Sequence, residues 1–130
     1  MKTIAIDTSL PTGSVAALEG ERAAEVRFEP AQAHARRIAA ALEEATAELG
    51  WQVADAELVA VIRGPGSFTG LRVGIATAKG IAWAGGMRIV GVSGFEVIGE
   101  RVGGAEPIHV AYDAGCLLYT SDAADDTPCV

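Results

Sequence analysis

The sequence predicts an α/β domain whose mixed sheet has three antiparallel N-terminal strands followed by alternating helices and strands. Three observations carry that prediction. Residues 3–28 hold three short apolar runs separated by turn residues. From residue 33 the apolar positions recur every three or four residues, the period of a helix. Beyond that helix, two apolar runs of strand length, 58–62 and 88–92, bracket a second helical stretch.

Thr3-Ile4-Ala5-Ile6-Asp7 alternates as a strand, and Leu10-Pro11-Thr12-Gly13 is turn chemistry. Ser14-Val15-Ala16-Ala17-Leu18 is a second strand, and Glu19-Gly20-Glu21 turns the chain into a third at Ala23 to Phe28. Connections this short make an antiparallel meander. In the first helix, 33–49, Ala35, Ile38, Leu42, Ala45 and Leu49 form one apolar stripe ended by Gly50. Arg36, Arg37, Glu43, Glu44 and Glu48 fall largely off the stripe and are expected in solvent.

Leu58-Val59-Ala60-Val61-Ile62 is continuously apolar, the pattern of a strand covered on both faces, and is expected at the sheet's centre. A second helix follows from Phe68 to Ala84, then a strand from Arg88 to Val92. Ser93-Gly94-Phe95-Glu96 has capping-box spacing and predicts a short helix running to Val102. Ile108-His109-Val110-Ala111-Tyr112-Asp113-Ala114 then repeats the logic of Ile4-Ala5-Ile6-Asp7-Thr8, as if a second, duplicated domain were starting.

Bulk properties narrow the function. Of 130 residues, 50% are hydrophobic and 21% charged, enough for one domain with a core. The formal charge of −7 argues against a broad nucleic-acid footprint, which needs clustered Lys and Arg. No apolar run reaches the roughly 18 residues of a membrane span, and Met1-Lys2-Thr3 runs into a strand without a secretory leader, so a cytoplasmic location without membrane contact is expected. Both cysteines, Cys116 and Cys129, lie near the C-terminus, which excludes a disulfide framework in the main body.

The most informative stretch is Arg63-Gly64-Pro65-Gly66-Ser67-Phe68-Thr69-Gly70-Leu71-Arg72-Val73-Gly74, a glycine-rich turn between strand and helix. Amides at a helix start lack intrahelical partners and favour anions, so Gly64, Gly66, Ser67 and Thr69, with Asp7 and Thr8, are candidates for contact with a phosphate or another anion. The alternative is a tight turn in which Ser67 or Thr69 caps the helix. Gly70 is followed by Leu71-Arg72, so this is not a Walker loop; Thr69 stands where a dinucleotide fingerprint needs glycine. Asp7 and Asp113 each end a strand, where a carboxylate can hold a magnesium-bound phosphate or close a turn; the turn role is favoured.

Past the turn, Gly70, Gly74, Ala78 and Ala82 are four residues apart and leave one flank of the helix nearly bare, with Leu71 and Ile75 beside it. A bare flank admits a close helix or strand, from this domain or from a partner. With Ala35, Ile38 and Leu42 on the first helix, these residues are the candidate partner interface. No catalytic or metal site is expected. His34 and His109 stand alone without HxxxH or HExxH, and Ser67 lacks the GxSxG context of a nucleophile.

Ile4-Ala5-Ile6-Asp7-Thr8-Ser9, His34 with Arg37, the stretch from Arg63 to Gly74, and Gly91-Val92-Ser93 together closely resemble the TsaB (YeaZ) family. The resemblance covers residues 1 to about 114 and implies an actin-like, ribonuclease-H-like fold in two similar domains. Residues 1–104 would be the N-terminal domain and 105–115 the first strand of the second. It further implies a non-catalytic scaffold subunit for the tRNA modification threonylcarbamoyladenosine (t6A), bound to a catalytic TsaD-like paralogue and a TsaE-like ATPase. A homodimer through the first two helices is also implied, with tRNA met only through the complex. No cofactor is expected on this chain alone, and ATP or ADP with Mg belongs to the assembled complex. Two enzymatic readings stay open beside it: the N-terminal lobe of an actin-like ATP-binding kinase, and a metal-dependent glycoprotease-like enzyme.

The end departs from the family pattern. Cys116 to Asp125 resembles one reading frame of a transposon-end adapter, where a further hairpin and domain are expected. Residues 116–130 are therefore expected to be non-native and loosely packed or disordered.

Overall fold

The computed structural model describes residues 1–29, 34–113 and 118–122, with the side chains at 34, 35, 112, 113 and 118–122 left out of account. The meander is formed by β1 (Lys2–Asp7), β2 (Gly13–Glu19) and β3 (Arg22–Phe28). Helix α1 (His34–Glu48) leads through a 3-10 turn at Val53–Asp55 to β4 (Leu58–Gly64). Then come α2 (Phe68–Gly85), β5 (Arg88–Ser93), α3 (Gly94–Val102), β6 (His109–Asp113) and β7 (Leu118–Asp122).

The five-stranded sheet has the order β3-β2-β1-β4-β5. β1 pairs antiparallel with β2 and parallel with β4; β4 pairs parallel with β5. The centre of the sheet is thus β1, with β4 one place nearer the edge, which corrects the expectation that Leu58–Ile62 is central. The reason lies in connectivity: the hairpin fills one side of β1, and a helical crossover delivers β4 to the other.

Register sorts the side chains onto two faces. On one face, Ala24, Ala17, Ile4 and Val59 form a row across β3, β2, β1 and β4, and Val26, Val15, Ile6 and Val61 form the next. All eight are buried and belong to one core with Ile38, Ala41, Leu42, Ala45, Ala78 and Ala82 from α1 and α2. A fully buried Ile or Val contributes roughly 1.5–3 kcal/mol, so this layer holds most of the domain's apolar stabilisation. α1 lies on β2 and β3, and α2 on β4.

The other face is only half covered. Along β4, Val59 and Val61 are buried while Leu58, Ala60 and Ile62 keep partial exposure, so the expected cover on both faces is found on one.

Helix ends follow the local chemistry. α1 stops at Gly50 (φ 84°), whose N–H donates to the Ala47 carbonyl at 3.0 Å. α2 is closed by left-handed Gly86. The capping box of α3 is present: Phe95 N–H donates to Ser93 Oγ at 3.2 Å, and Ser93 N–H to Glu96 Oε2 at 2.8 Å. β6 pairs antiparallel with β7 in a separate two-stranded sheet. β7 falls inside the segment expected to be non-native; residues 116, 117 and 123–130 of that segment lie outside the described residues.

Candidate functional site

The glycine-rich turn is built against the end of β1. Thr8 and Ser9 are buried, and the loop from Gly64 to Gly70 closes over them. Ser67 N–H donates to the Ser9 carbonyl at 2.8 Å, and the Thr8 hydroxyl donates to the Gly70 carbonyl at 2.5 Å. Asp7 Oδ1 accepts the Ser9 N–H at 2.9 Å and the Ser9 hydroxyl at 2.6 Å, so this carboxylate oxygen closes the turn after β1. The side chain of Asp113 lies outside the described residues.

These contacts explain the glycines. A Cβ on Gly66 would lie 2.4 Å from the Ser9 carbonyl oxygen, one on Gly70 2.0 Å from the Thr8 carbonyl oxygen, and one on Gly74 2.2 Å from Thr8 Oγ1. Each distance is far inside van der Waals contact, and two of the obstacles are backbone. Gly64 and Gly66 also hold φ of 137° and 155° on either side of the cis Gly64-Pro65 bond, angles that other residues rarely adopt. The approach of backbone that the sequence implied is real. What approaches is this domain's own first strand.

Two amides that an anion would need are already used. Ser67 N–H serves Ser9, and Gly70 N–H donates at 3.2 Å to the side chain of Ser67, which is therefore the helix cap rather than Thr69. Ser67 and Thr69 remain exposed at the mouth of the turn, and Gly64 is partly so.

The candidate interface residues divide. Gly70, Gly74, Ala78 and Ala82 are buried along α2, against Thr8 and Ile6 at its start and in the core beyond. Ile38 and Leu42 are core residues of α1, and Leu71 and Ile75 are half-buried. The Ala35 side chain lies outside the described residues. The bare flank is thus filled from within this chain.

On the outward side of α2, Phe68, Arg72, Ala76, Lys79, Gly80 and Trp83 are exposed. Phe68 is 74% exposed and Trp83 91%. The Arg72 guanidinium lies over the Phe68 ring, 5.3 Å from its centroid. Sequence reasoning overlooked both aromatics because it followed the small residues. Their signal was phase: both sit off the Gly70–Ala82 flank, on the side opposite the core. Among the described residues no cluster of three or more His, Cys, Asp or Glu could hold a metal, and no helix is long and apolar enough to cross a membrane.

A family model described as "TsaD: tRNA N6-adenosine threonylcarbamoyltransferase" matches residues 28–124. The "tRNA threonylcarbamoyladenosine biosynthesis protein TsaB" of Escherichia coli is 34% identical over 118 residues, 88% of this chain and 51% of that protein. The chain belongs to the TsaD/TsaB (YeaZ) family. The TsaB of Haemophilus influenzae is 31% identical over 114 residues, 85% of this chain and 48% of that protein. Among solved structures, YeaZ from Pseudomonas aeruginosa superimposes with a TM-score of 0.85 at 28% identity, covering 97% of this chain and 66% of that one. The 3-2-1-4-5 sheet with its antiparallel first three strands is the actin-like, ribonuclease-H-like arrangement that the TsaB resemblance implied. This chain spans about half the length of the curated TsaB relatives it matches.

Proposed function

We propose that this chain is the N-terminal lobe of a non-catalytic scaffold subunit in t6A formation, and that it supports a TsaD-like transferase by binding it. The observation that carries this reading is the alignment of 88% of the chain with a protein named for t6A biosynthesis. The contact runs along the outward face of α2, with Phe68 and Trp83 as anchors and the neighbouring exposed side of α1 beside them. Two aromatic side chains held on a rigid helix give large apolar contact at little entropic cost. Because the chain carries formal charge −7, tRNA is met through the assembled complex. A TsaE-like ATPase and the nucleotide with its magnesium also belong to that complex.

The internal use of the Ser67 and Gly70 amides supports placing nucleotide outside this chain's own turn. Titration calorimetry of the 130-residue chain tests both halves of the reading. Association with the TsaD-like transferase of the same genome is expected, and no heat with Mg-ATP. Micromolar Mg-ATP binding without transferase binding would instead mark the first lobe of an actin-like kinase.

A further inference from the structure

The two edges of the five-stranded sheet differ in chemistry. β3, at one edge, is guarded by charge: Arg22 pairs with Glu19 at 3.3 Å and Arg27 with Glu25 at 3.0 Å. β5, at the other, carries no charged residue from Ile89 to Ser93, and Ile89 and Val90 are both exposed. The backbone groups of this edge sort by direction. Arg88 N–H donates to the Glu57 carbonyl at 3.1 Å, so Arg88, Val90 and Val92 face β4 in the parallel ladder. Met87, Ile89, Gly91 and Ser93 therefore direct their N–H and C=O groups away from β4. Two of those N–H groups are already taken, that of Met87 by the Ala82 carbonyl at 2.8 Å and that of Ser93 by Glu96 Oε2 at 2.8 Å. Ile89 and Gly91 are left to present both groups at the open edge, and among the described residues no strand pairs with them.

We propose that β5 pairs antiparallel with β5 of a second copy of this chain, joining the two sheets edge to edge. The free groups select both the occupant and the register. With Val90 on the two-fold axis, Ile89 of each copy stands opposite Gly91 of the other, and each such pair exchanges two hydrogen bonds. Every free group named above is then used. A register centred on Ile89 would set Gly91 against Met87, and one centred on Gly91 would set Ile89 against Ser93; in both cases the opposing N–H is already occupied. The side chains agree with this choice. Ile89 is the register partner of Val59 and so lies on the core face of the sheet. On that face a Cβ on Gly91 would lie 3.3 Å from Arg63 Cδ, so the Arg63 side chain passes over Gly91, and its aliphatic stem receives Ile89 of the second copy. On the opposite face Val90 meets its own equivalent. A closed two-fold contact requires one self-complementary patch, and this apolar edge supplies it.

Two measurements on the full 130-residue chain test this. Sedimentation equilibrium should show a reversible dimer of the parent chain. Val90→Lys sets two ammonium groups on the axis and should weaken that dimer at least tenfold. A parent chain that stays monomeric up to millimolar concentration, or a dimer that Val90→Lys leaves unchanged, would overturn the proposal. The second measurement reads the register. In a background with Cys116→Ser and Cys129→Ser, Val90→Cys and Ile89→Cys are each exposed to oxidised glutathione, and disulfide-linked dimer is followed by non-reducing electrophoresis. Across the axis the two Val90 Cα atoms fall about 4.5 Å apart, within reach of a disulfide, and the two Ile89 Cα atoms about 9 Å apart, beyond it. Cross-linking should be at least tenfold faster at 90 than at 89. Equal rates at the two positions, or faster linking at 89, would overturn the pairing. Circular dichroism verifies folding, and the cross-linking comparison decides alone if Val90→Lys does not fold.

Discussion

The Thr8 hydroxyl donates to the Gly70 carbonyl at 2.5 Å, and the Thr8 carbonyl oxygen lies 2.0 Å from where a Cβ on Gly70 would be. One residue at the end of the first strand thus binds the start of α2 by a hydrogen bond and excludes any side chain from it. The glycine-rich motif is, in this chain, a packing motif.

Gly70→Ala is therefore a folding mutation. The new methyl meets a backbone carbonyl rather than a side chain that could rotate away, and the overpacking costs about 3 kcal/mol. Urea unfolding should show the loss as a lower midpoint with an unchanged slope. A midpoint within experimental error of the parent would refute the packing account of the motif. Gly74→Glu falls under the same argument, since Thr8 Oγ1 occupies the space of its side chain. Loss of partner binding in that variant would report unfolding, not an interface.

Thr8→Val keeps the shape and removes the donor. The Gly70 carbonyl then loses a buried hydrogen bond, at a cost of about 1 kcal/mol. The variant should still fold, with a small fall in unfolding free energy and faster amide exchange in the first turn of α2. No change in either quantity would mean that the Thr8 hydroxyl contributes nothing to joining β1 to α2.

Ser93→Ala removes the acceptor for the Phe95 N–H at the start of α3. N-cap removal costs about 1 kcal/mol. Because Ser93 is only 1% exposed, water cannot readily replace the lost oxygen. Hydrogen exchange should speed up in residues 94–102 while β1 and β2 keep their protection. Uniform acceleration across the domain would show instead that α3 does not open separately.

Much of this fold was legible in the sequence, for identifiable reasons. The turn at Leu10–Gly13, the 3.6-residue period of α1 and the Ser93–Glu96 spacing are local signals, and each element formed within a residue or two of its expected limits. The place of β4 was not legible, because strand order depends on which side of β1 the crossover returns to. Burial on one face only was missed for a related reason: an apolar run states what a strand can tolerate, not what lies over it. The small-residue flank of α2 carried a true signal of close approach without naming the approaching group. That group is Thr8, sixty-two residues from Gly70, and only the tertiary structure brings it there.

The bare flank of α2 belongs to this domain's interior, and its outward face, from Phe68 to Trp83, is the face we propose meets the transferase. The most direct measurement is the affinity of the TsaD-like transferase for the parent chain and for Phe68→Glu and Trp83→Glu, alongside their urea midpoints. Both positions are exposed, so stability should stay within about 0.5 kcal/mol of the parent. Binding should weaken at least tenfold in each variant. Parent-like affinity in both, with folding intact, would contradict the account.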